Sequence, residues 1–129
     1  MENKIHCPIM STIAMISDKW KVLIICKLRK GTLRFNELMR ALQGVTQRVL
    51  THQLRELEED GLVSRKVYAE VPPRVEYSLT QLGWTLVPVL ERLEQWAEEH
   101  SEEILSARRV ALAKRAGTTV QLPDAQVQV

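Results

Sequence analysis

Three leucines, Leu50, Leu54 and Leu57, recur at steps of four and three between Thr46 and Gly61, and this stripe restricts the fold more tightly than any other stretch. At about 100° per residue, that spacing gathers the leucines on one side of a helix. Gln47 falls near the edge of the stripe, and Arg48, Thr51, His52 and Arg55 fall on the far side. Thr46 is suited to cap the start, and Gly61 to end the helix in a left-handed turn. Immediately upstream, Leu38, Met39 and Leu42 mark a helix of barely two turns that stops at Gly44. Two helices joined through Gly44 and Val45 form a helix-turn-helix.

The flanking sequence supplies the rest of a mainly α chain with a small β-hairpin. Ile9, Ile13 and Ile16 follow Pro8 at helical spacing, which predicts a helix over 8–16. After Ser17 and Asp18, either able to cap, Trp20, Leu23, Ile24 and Leu28 continue a second helix until Gly31. Leu33, Arg34 and Phe35 read as an extended link. Residues 63–69 and 75–79 are rich in β-branched and aromatic side chains, with Pro72 and Pro73 between them, and predict a hairpin with a proline-bearing tip. Thr80 then caps a long helix in which Leu82, Leu86, Val89, Leu93 and Trp96 alternate steps of four and three, the period of a helix-pairing seam. Gly83 weakens this helix, and Pro88 is expected to kink it without breaking it. Past His100 the apolar pattern is faint, so residues 1–116 are expected to form one domain with terminal dimerisation helices and 117–129 an unfolded tail.

Composition narrows the classes of function. A chain of 129 residues, 45% of them hydrophobic, suits one compact domain. No apolar run approaches the roughly 18 residues of a membrane span, and the start is too short and polar for a secretory signal, so a cytoplasmic protein is expected. Two cysteines, Cys7 and Cys26, make neither a disulfide scaffold nor a zinc site, and the three histidines show no ligand spacing; neither metal nor cofactor is expected. A glycine-rich phosphate loop, a nucleophile elbow and a paired-histidine helix are all absent, which argues against an enzyme.

The net charge of +2 does not identify a partner, but its distribution is uneven. Lys19, Lys21, Lys27, Arg29, Lys30, Arg34 and Arg40 face only Asp18 and Glu37 in their stretch, whereas Glu56, Glu58, Glu59 and Asp60 form an acidic cluster. A polar, cationic helix face suits a DNA major groove, where arginine donates two bonds to guanine and short polar side chains meet base edges or phosphate. Arg65 and Lys66 on the first hairpin strand and Arg74 at its tip are placed to straddle the adjoining phosphate backbone. An ordinary solvated helix surface would account for the same helix face taken alone. Fold alone does not set function, so a winged-helix protein-interaction module without sequence-specific DNA binding is the rival reading.

Cys7 directly precedes Pro8, at a helix start whose unpaired amides favour the thiolate that oxidants and electrophiles attack. A small residue packed at a helix start would occupy the same place. Cys26 lies among Leu23, Ile24, Ile25 and Leu28 and is expected in the core.

The runs CPI, SDKWKVLIICKL, LRFNELMRAL, GVTQRVLTHQLRELEEDGLVSR, PPRVEYSLTQLG and LERLEQWAEEH, spanning residues 7–100, resemble the HxlR-type winged helix-turn-helix regulators related to the MarR group. The resemblance implies a homodimer on double-stranded DNA, bound at a pseudo-palindromic operator. The subunits would be joined through the first helix and the carboxy-terminal helix, with Ile9, Ile13, Leu86, Val89, Leu90, Leu93 and Trp96 as candidate interface residues. It places Thr46, Gln47, Arg48, Thr51, His52 and Arg55 on the recognition helix and Arg74 on the wing. It also aligns Cys7 with a cysteine that serves some such regulators as a sensor of small electrophiles or oxidants. The segment after Ser101 is longer than the pattern requires.

Overall fold

Helix α1 (Pro8–Ile16) opens on proline at its first position, where the missing amide costs no hydrogen bond, and Cys7 precedes it in extended conformation. These elements come from a computed structural model that describes residues 7–117. Asp18 caps α2 (Lys19–Leu28) by accepting from the Trp20 amide at 2.8 Å. The apolar positions divide more finely than the sequence suggests: Ile24, Ile25 and Leu28 are buried, Leu23 is exposed, and Cys26 is half-buried rather than in the core. Cys26 sits one position past the buried pair Ile24 and Ile25, and helical rotation carries it toward the edge of that face.

The expected link at Leu33 and Arg34 is a strand, β1 (Leu33–Arg34), which leads directly into α3 (Phe35–Ala41). Glu37 accepts a 2.8 Å hydrogen bond from the Arg34 amide and so closes the first turn of α3. Leu42 ends this helix by donating to the Leu38 carbonyl, and Gly44, at φ 90°, makes the left-handed step that side chains disfavour. Helix α4 (Gln47–Glu59) then starts with Thr46 Oγ1 accepting from the Val49 amide at 3.2 Å. Leu50, Leu54 and Leu57 are all buried, as their spacing requires, and Gln53 is buried beside them.

Strands β2 (Val63–Tyr68) and β3 (Arg74–Leu79) pair antiparallel from Val63 opposite Leu79 to Tyr68 opposite Arg74. Strand β1 joins the other edge of β3, with Leu33 opposite Tyr77 and Arg34 opposite Glu76, so the hairpin is part of a three-stranded sheet ordered β1-β3-β2. Thr80 caps α5 (Gln81–Glu99) by accepting from the Gly83 amide at 3.0 Å. Glycine is required at 83, since a Cβ there would run into the carbonyl oxygen of Leu62. Pro88 lies inside α5 without ending it. The faint pattern beyond His100 is a full helix, α6 (Ser101–Arg115), with Glu102 and Glu103 in its first turn and Lys114 and Arg115 in its last, each sign matching the helix dipole.

The chain divides into two compact units at Pro88. The first holds α1 to α4, the sheet and the start of α5 around a core of Ile24, Ile25, Leu28, Leu38, Leu50, Leu54, Leu57, Leu62 and Val63. The second begins at Val89 and carries the rest of α5 together with α6; no residue of α6 is buried. The expected tail falls almost wholly outside the described residues. No helix among the described residues is long and apolar enough to cross a membrane.

Candidate nucleic-acid interface

The leucine stripe fixes which side of α4 faces outward. Gln47, Arg48, Thr51, His52 and Arg55 are all exposed and together line one shallow depression, with exposed Thr46 at its amino-terminal end. The hydroxyls of this face are partly committed. Thr46 Oγ1 accepts the capping bond, and Thr51 Oγ1 donates to the Gln47 carbonyl at 2.8 Å, leaving its lone pairs and its methyl group for an approaching ligand. Arg48 and Arg55 meet no carboxylate among the described residues, so their donors point into solvent. A convex helix side with unpaired guanidinium groups and short polar side chains can enter a major groove and meet base edges there.

His52 and Glu56 share a contact that the sequence does not announce. Glu56 is not part of a solvated acidic cluster, because its Oε1 lies 3.2 Å from Lys21 Nζ and 3.1 Å from His52 Nε2. Lys21, counted in sequence among the surface cations, is buried on α2 against this carboxylate. Its charge is neutralised inside the fold, since a buried ammonium without a partner would be costly. Nothing in the spacing of α4 signals the contact, because Lys21 arrives from another helix. Among the described residues no group of His, Cys, Asp and Glu side chains could hold a metal ion.

On the wing, Arg65 and Lys66 are exposed on β2, and as neighbours in a strand they project to opposite faces of the sheet. Lys66 Nζ lies 4.9 Å from the centre of the Tyr68 ring. Arg74, expected at the hairpin tip, is engaged within the wing. It opens β3, its guanidinium lies 3.9 Å from the centre of the Tyr68 ring, and it pairs with Glu70 at 3.4 Å and Glu76 at 3.6 Å. These contacts tie the two strands together next to the turn. Two further cations escaped the sequence reading as site residues: Arg34 and Arg40, both exposed, line a depression with Asn36 and Glu37 beside the start of α3. The cue was their place in the cation-rich stretch, but charge alone does not say which members face outward.

The candidate pairing residues are mostly open. Ile9 is 71% exposed and Trp96 55%, and Ile13, Val89 and Leu93 are likewise exposed, while Leu86 is half-buried. Leu90 differs from them: it is 8% exposed in the single chain. It follows buried Gly83 and Val87 at steps of four and three and so lies on the inward face of α5, not on the seam of Leu82, Leu86, Val89, Leu93 and Trp96. Cys7 is half-buried and, like Cys26, a free thiol.

The model of the HxlR-like helix-turn-helix family matches residues 15–105 of this chain. The HTH-type transcriptional regulator YybR of Bacillus subtilis is 46% identical over 112 residues, covering 87% of this chain and 90% of that protein. A solved MarR-family transcriptional regulator of Enterococcus faecalis V583 is 44% identical at a TM-score of 0.71, covering 81% of this chain and 98% of the solved one. The redox regulator HypR in its reduced form is 45% identical at a TM-score of 0.74, covering 78% and 99% respectively.

Proposed function

This chain belongs to the HxlR-like helix-turn-helix family of transcriptional regulators, and from that premise we propose that it acts as a homodimer binding a pseudo-palindromic operator through α4. The observation that carries the reading is the exposed face of Gln47, Arg48, Thr51, His52 and Arg55, on which both arginines are unpaired among the described residues. A dimer would set two such faces in successive major grooves, roughly 34 Å apart. Arg48 and Gln47 lie in the first turns, the end that reaches base edges, while Thr46 and Arg55 serve the flanking contacts. Arg65 and Lys66 supply phosphate contacts from the wing, and Arg74 joins them only by leaving Glu70 and Glu76.

Pairing of subunits is assigned to the exposed apolar residues of α1 and α5, since apolar surface of this kind is a recognised mark of a protein interface. Cys7, half-buried at the start of α1, is assigned as the point at which an oxidant or small electrophile acts. The likeness to a redox regulator supports this assignment. Modification there would displace α1 and change the separation of the two recognition helices. The protein is placed in the cytoplasm, where its DNA target lies. Titration of the protein with fluorescent genomic fragments at increasing salt tests the main reading: binding should weaken steeply as salt rises. A partner-protein module would show no such binding.

A further inference from the structure

Glu56 Oε1 is shared between a buried lysine of another helix and a histidine of the outward face of α4. An exposed carboxylate and histidine one turn apart contribute little when both swing in water. Here the carboxylate is held from behind: the Lys21 side chain is only 10% exposed, whereas that of His52 is 64% exposed. The carboxylate accepts, so His52 Nε2 must carry a proton. In a neutral ring the other nitrogen, Nδ1, is then an acceptor, and it has no partner among the described residues. Arg48 and Arg55, which line the same depression, can only donate. A neutral His52 is thereby the acceptor on a face whose charged members are donors.

We infer that Glu56, without touching DNA, is a positioning residue for base recognition: it fixes the His52 ring with Nε2 protonated, so that Nδ1 accepts from an exocyclic amino group of adenine or cytosine in the major groove. This role rests on the proposal that α4 enters that groove. A histidine held in this tautomer prefers the amino-bearing base over guanine or thymine at its position by about threefold to tenfold, the range of one net hydrogen bond.

The test compares the wild-type chain, Glu56→Gln, which keeps an acceptor oxygen, and Lys21→Met/Glu56→Leu, which replaces the ion pair by apolar side chains and leaves no charge buried alone. Imidazole nitrogen NMR shifts of the free protein read the tautomer, and titration against operators varied at each base pair reads selectivity. Wild type and Glu56→Gln should show the protonated-Nε2 signature and the same base preference. The double replacement should shift the ring signals toward the tautomer mixture of a free imidazole, with its selectivity falling toward that of His52→Ala. The inference is overturned if the double replacement keeps wild-type ring shifts and selectivity, or if it loses selectivity further in a His52→Ala background. Absence of salt-sensitive DNA binding by the wild type would overturn the groove reading itself, and this role with it, whatever the ring shifts report.

Discussion

Arg48 is outward, unpaired among the described residues and near the start of α4, the place from which a side chain reaches a base edge. Arg48→Ala should cost about 1–3 kcal/mol of operator binding and relax preference at one base pair. Titration against single-base operator variants checks this, and a uniform loss across all of them would reassign Arg48 to phosphate. Arg74→Ala should act differently. It removes the cation shared by Glu70, Glu76 and the Tyr68 ring, so limited proteolysis should cut the wing turn faster while base preference stays as in the parent. Cys7→Ser should no longer respond to diamide or quinones in an operator-release assay. A response equal to the parent's would remove Cys7 from the mechanism.

The elements were legible in sequence where a period survives for several turns. Leu50, Leu54 and Leu57 announced α4, Thr46 its cap and Gly61 its end, and the outward face followed by rotation alone. Strand β1 was not legible as a strand, because two residues carry no alternation and its pairing with β3 is a fact about distant sequence. Helix α6 was faint because its apolar residues gather no buried face; charge at its two ends is a better marker than hydropathy. The low exposure of Leu90 was not legible because α5 carries two apolar stripes, and sequence spacing does not rank their exposure. The role of Glu56 was hidden for a similar reason, since Lys21 comes from another helix. Gly83 shows the same dependence on tertiary approach. Gly83→Ala should lower stability by about 1–3 kcal/mol, read as a lower urea midpoint, because its Cβ has no room beside the Leu62 carbonyl.

At the scale of the whole molecule, function requires two copies of α4 on one duplex. The seam residues Val89, Leu93 and Trp96 are exposed, so an aspartate there should not disturb the fold of a single chain. Leu93→Asp is expected to sediment as a monomer that still unfolds cooperatively in urea, at a midpoint independent of protein concentration, and to bind the operator at least about tenfold more weakly, since the second half-site is no longer tethered. The central claim, that α4 occupies the major groove twice per assembly, is tested most directly by methylation interference at guanine N7 on an operator selected from genomic fragments. Two clusters of interfering guanines are expected, centred about one helical turn apart, roughly 10 base pairs. One cluster alone, or binding indifferent to N7 methylation, would contradict the claim.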